Sequence, residues 1–111
     1  MATHYIKEGD TSPAIEYALT PVTVLLTGAS VVFSMRDRRG TVKVNQQAAT
    51  ITDNGTGDAN GTPTVQYDWT ASDTDTAGTY YGEFEVTYAD TSVETFPNSE
   101  NITILITKDV A

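Results

Sequence analysis

One histidine, no cysteine and 15 carboxylate side chains are the means this 111-residue chain has for chemistry. A catalytic centre needs a convergent set, such as a nucleophile beside a base that a third group orients. His4, the sole histidine, lies in the polar opening segment MATHYIKEGD, where chain ends fray, so no catalytic role is expected for it. Asp73 with Asp75, or Asp53 with Asp58, offer paired oxygens for calcium, yet neither spacing fits a calcium loop. Aspartates in such turns are read as caps and Asx-turns. Without cysteine there is neither a disulfide framework nor a thiolate zinc site. The expectation is a chain that is not an enzyme and carries no cofactor and no metal.

The basic residues Arg36, Arg38 and Arg39 surround Asp37 in RDRRG, at the end of an alternating apolar run. A small, locally neutralised patch closed by Gly40 reads as a solvated hairpin turn rather than a phosphate site. Acidic residues outnumber basic ones 15 to 6, for a formal charge of -9. Such a surface repels polyphosphate, so nucleic acid is not an expected partner. No apolar run has the length of a membrane span, and the opening segment lacks the apolar stretch of a secretory signal. No membrane partner is expected, and the asparagines of NGT at 54 and 60 and NIT at 101 are read as chance matches to the glycosylation pattern.

The elements that must position these residues are strands, because apolar residues recur at every second position. ASVVFSMR puts Ala29, Val31, Phe33 and Met35 on one face; TVQYDW does the same with Val65, Tyr67 and Trp69. YYGEFEVTY is the clearest alternation, with Tyr80, Gly82, Phe84, Val86 and Tyr88 inward and Tyr81, Glu83, Glu85 and Thr87 outward. Shorter runs hold Ile15, Tyr17 and Leu19; Val42 and Val44; Ala49 and Ile51; Val93; and Ile102, Ile104 and Ile106. NQQ and FPN are read as strand breaks, DNGTGDANGTP as a long hairpin loop, and ASDTDTAG as a turn with room for one helical turn capped by Ser72. Seven to nine strands in a chain of this length predict a single all-β domain over residues 1–111. Its expected fold is an immunoglobulin-like antiparallel β-sandwich without a disulfide.

In such sandwiches a tyrosine near the start of a late strand bonds back to the preceding turn, two residues before an inward cysteine. Here Tyr80 stands two residues before Gly82, and Asp75 lies in the turn, so Tyr80, Asp75 and Gly82 are the expected structural corner. The outward residues Tyr81, Glu83, Glu85 and Val32 are the expected interface, the glutamates forming an acidic face for a basic partner surface. Tyr5, Ile6 and Lys7, with Ile102 to Ile106, are the segments expected to meet a neighbour by strand addition.

Four segments, YIKEGDTSPAIEY, LLTGASVVFSMRDRRG, YDWTASDTDTAGTYYGEFEVTY and ETFPN, in this order and spacing over nearly the whole chain, resemble the N-terminal immunoglobulin-like domain of bacteriophage baseplate upper proteins. The resemblance implies a non-enzymatic virion structural protein, made in the host cytoplasm and present in symmetric copies. Its implied partners are other virion proteins of the tail, baseplate or capsid. The chain departs from the family in ending at ITKDVA, directly after the last strand, with no stalk or second domain. A tail or baseplate adaptor is therefore expected, with a capsid decoration protein or a carbohydrate-binding module for host adsorption as the alternatives.

Overall fold

The computed structural model describes residues 3–21 and 23–110. Nine strands run through them: β1 (Thr3–Lys7), β2 (Ile15–Ala18), β3 (Ser30–Asp37), β4 (Val42–Ala48), β5 (Thr50–Asp53), β6 (Thr64–Tyr67), β7 (Gly78–Thr87), β8 (Val93–Phe96) and β9 (Ile102–Thr107). They form two sheets. The larger has the order β1-β9-β7-β3-β4, with β8 pairing the far half of the same β7 edge that carries β9; the smaller is β2-β6-β5. This is the all-β, immunoglobulin-like sandwich that the alternation predicts, and it has no disulfide because it has no cysteine. One pair breaks the antiparallel expectation: β1 runs parallel to β9, Thr3 beside Thr103 through Lys7 beside Thr107.

Period-two alternation decides which side chains meet. The inward residues Val31, Phe33 and Met35 of β3, Tyr80, Phe84 and Val86 of β7, and Ile102, Ile104 and Ile106 of β9 are buried. Ile15, Val65 and Tyr67 oppose them from the smaller sheet, with Trp69 just beyond β6. Phe33 is the centre, its ring stacked on Tyr67 at 4.7 Å and edge-on to Trp69 at 5.6 Å. Phe84 lies 5.0 Å from it within the larger sheet. Each fully buried ring of this size stabilises the fold by about 2 kcal/mol.

The turns follow their chemistry. In RDRRG the Asp37 carboxylate accepts from the Arg39 and Thr41 amides at 2.8 and 2.9 Å, and Gly40 takes the positive φ (95°) that closes the hairpin. NQQ lies inside β4 as a β-bulge instead of ending it: the β3–β4 register shifts there, and Gln46 has φ 48° with its amide on the Ser34 hydroxyl at 3.0 Å. A second register shift, between the Met35–Val44 and Arg36–Val42 pairs, sets Val42 opposite the outward Arg36 and leaves it exposed (58%), although Val44 is buried. Val93 is likewise exposed, since it pairs Thr87 at the outward end of β7. ASDTDTAG forms a hydrogen-bonded turn and no helix: the Asp73 amide donates to the Thr70 carbonyl at 3.0 Å, and the Asp73 carboxylate, rather than Ser72, holds the Thr70 amide at 2.8 Å.

Candidate functional site

The turn before β7 concentrates the polar contacts of the interior. The Tyr80 hydroxyl donates to the Thr76 carbonyl at 2.8 Å, and burial pushes the phenol's pKa up. Asp75 does not touch Tyr80; its carboxylate accepts from Lys43 Nζ at 2.5 Å, and that bond holds its pKa down. At Gly82 a Cβ would come within 2.7 Å of Ile104 Cδ1 and 2.9 Å of Phe33 Cζ. Phe33 thus occupies the room that a side chain at the cysteine position would need.

A second corner was not read from the sequence. The Tyr67 hydroxyl donates to Asp73 Oδ2 at 2.6 Å, and the same oxygen accepts the Thr70 amide. Asp73 is buried, and desolvation, with the bond to this carboxylate next, pushes the Tyr67 phenol far above its usual value. The available signal was a tyrosine at an inward alternating position, whose buried hydroxyl requires a partner.

The remaining chemical candidates are spent on structure. His4 is not frayed: it sits in β1 facing inward, its ring 5.8 Å from Trp69, accepting the indole N–H at 3.4 Å and donating to the Pro13 carbonyl. Burial lowers its pKa despite the bond to Pro13. Asp53 accepts from the Gly55 amide, and Asp58 from the Thr56 hydroxyl and the Asn60 amide, so each closes its own turn. Among the described residues no group of three or more His, Cys, Asp or Glu is placed to hold a metal ion.

The exterior of the larger sheet is the other candidate. Strand pairing puts Val32 beside Glu85, Ser34 beside Glu83 and Arg36 beside Tyr81 on its outer face. Glu83 is exposed; Tyr81, Glu85 and Val32 are half-buried by their neighbours on the sheet. The Arg36 guanidinium lies 5.3 Å from the centre of the Tyr81 ring, a cation–π contact that covers one of its faces. A groove of about 180 Å³ runs beside this pair, lined by Ser34, Asn45, Gln46, Glu83 and Asn101.

Two of the expected contact segments are displaced by the topology. Ile102–Thr107 is flanked on both sides, by β1 and β7, so Ile102 to Ile106 has no edge to offer. Ile6 points into the core and is buried (5%), so of the segment Tyr5 to Lys7 only Tyr5 and Lys7 face outward. Tyr5 is 66% exposed on the terminal strand of the sheet.

Its backbone is open as well. The Glu8 amide donates to the Thr107 carbonyl at 2.8 Å, which directs the backbone groups of Glu8, Ile6 and His4 toward β9 and those of Lys7, Tyr5 and Thr3 away from it. Lys7 uses its carbonyl on the Asp10 amide at 3.0 Å. The N–H and C=O of Tyr5 have no partner among the described residues, and a shallow groove lined by Tyr5, Lys7, Asp10, Ser12 and Pro13 lies beside them.

No protein family model and no curated protein matches the chain. Among solved structures, CopC from Methylosinus trichosporium OB3b superposes with a TM-score of 0.53 and 14% identity, over 100% of this chain and 89% of that one. The two share a fold. This likeness corrects the role expected from the sequence: it leads to the sandwich of CopC and away from a phage structural role, whether tail or baseplate adaptor, capsid decoration or host-adsorption module. The physical reason lies in the segments behind that expectation. Leu-Thr-Gly-Ala and Asp-Thr-Ala-Gly are the turn chemistry that any such sandwich needs, and they carry no role of their own.

Proposed function

We propose that the chain is a non-catalytic binding domain that engages a partner strand along the open edge of β1. The observation that carries this reading is the Tyr5 backbone, whose donor and acceptor face outward beside an exposed aromatic ring. An unpaired sheet edge is a template for an added strand, with main-chain hydrogen bonds giving affinity and alternate side chains giving selectivity. Catalysis has no comparable support: His4, Asp73, Tyr67 and Tyr80 are all bonded within the fold. The formal charge of -9 disfavours a polyphosphate partner.

A photo-crosslinking residue at position 5, with the same residue at position 58 as control, tests the reading in cells that produce the chain. Discrete covalent adducts from position 5 and none from position 58 are expected. Equal labelling at both positions, or no adduct at position 5, refutes it.

A further inference from the structure

Resting on the β1 reading, we infer that the strand added to β1 is β1 of a second copy of this chain, paired antiparallel across a two-fold axis through Tyr5. Four other strands also have an open side, and each is blunted. β2, β5 and β8 are four residues long and carry Glu16, Asp53 and Glu94, and short length with a charge on the strand is what blunts an edge. β4 is longer, but it is broken by the bulge at Gln46. β1, reading Thr-His-Tyr-Ile-Lys, has no bulge and no carboxylate, although the chain carries 15 acidic residues against 6 basic.

Its pattern is also self-complementary. An axis through Tyr5 sets Tyr5 opposite Tyr5, with His4 opposite Ile6 on the inward face; Thr3 falls opposite Lys7, whose carbonyl already holds the Asp10 amide, so the bonded ladder is confined to the Tyr5 pair. Tyr5 has its N–H and C=O directed outward. Two such residues facing each other exchange both bonds, which is the closely spaced pair of an antiparallel ladder. The two Tyr5 rings then lie as a direct cross-strand aromatic pair on the outer face, and no like charges face each other. The interface is isologous and closes at two copies, leaving no further β1 edge. A five-residue strand pair buries less than the roughly 1,200 Å² of a stable complex, so the dimer forms only at high concentration. Because each copy carries a charge of -9, added salt strengthens it.

Sedimentation equilibrium of the full chain, from micromolar to millimolar concentration at low and high salt, reads this directly. The expected result is a mass rising toward twice that of one chain, more readily at high salt. Tyr5→Asp and Tyr5→Lys, both at an exposed position that leaves the fold intact, each place like charges opposite across the axis and weaken association roughly fivefold. An equimolar mixture of the two variants restores it, which requires position 5 to meet position 5. Trp69 fluorescence checks that both variants are folded. A monomer at every concentration, or association unchanged in both variants, overturns the inference. If position 5 crosslinks to a different protein while the chain stays monomeric, the strand-binding reading stands and the self-pairing falls. If neither crosslinking nor association is seen, both fall.

Discussion

Replacing Gly82 with alanine tests the packing account of the core most directly. The added methyl would sit 2.7 Å from Ile104 Cδ1 and 2.9 Å from Phe33 Cζ, both closer than carbon atoms tolerate. Ile104 and Phe33 are fully buried, so relief requires moving side chains that are themselves packed. Overpacking of this kind costs about 1–3 kcal/mol, against which an alanine in a strand recovers about 0.5–1 kcal/mol of backbone entropy relative to glycine. The net expectation is a loss of about 1–2 kcal/mol, read as a lower urea midpoint at unchanged slope. The nearest clash involves Ile104 Cδ1, which Ile104→Val removes. Alone, that change costs about 1 kcal/mol as a truncated core residue. In the Gly82→Ala background it should cost less, giving a favourable coupling in the double-mutant cycle. Additive losses, or a stabilising Gly82→Ala, would refute the claim that Phe33 and Ile104 dictate the glycine.

Asp73→Ala leaves the Tyr67 hydroxyl and the Thr70 amide without their acceptor, the first buried and the second part-buried, and predicts a loss of about 2 kcal/mol by chemical denaturation. Asp73→Asn, which keeps one acceptor oxygen, should lose less; equal losses would remove the second corner from the account. For His4, burial holds the folded pKa below the ordinary 6.5, so the unfolded chain takes up the proton first as the solution is acidified. Stability is then complete above about pH 6.5 and falls as pH drops from there toward the lowered folded pKa, a window above that of the aspartates Asp58, Asp75 and Asp90. Urea midpoints measured between pH 5 and 7 should show this slope and lose it in His4→Gln; a midpoint that rises on acidification would contradict the half-buried, neutral imidazole.

Alternation by itself determined that the chain is a sandwich and which residues of β3, β7 and β9 fill it, because a period of two assigns each side chain to a face whatever the neighbouring strand is. Local turn chemistry was equally legible in RDRRG, where Asp37 and Gly40 close the hairpin using only residues within reach. What strands lie beside one another was not written locally. The parallel approach of β1 to β9 joins residues about a hundred positions apart, and that pairing alone made Ile102 to Ile106 interior and left Tyr5 at an edge. The same holds for the partner of Trp69, which is His4 on the first strand. A sequence reports the need of a buried hydroxyl or imidazole for a partner, but the partner is chosen by the three-dimensional path of the chain.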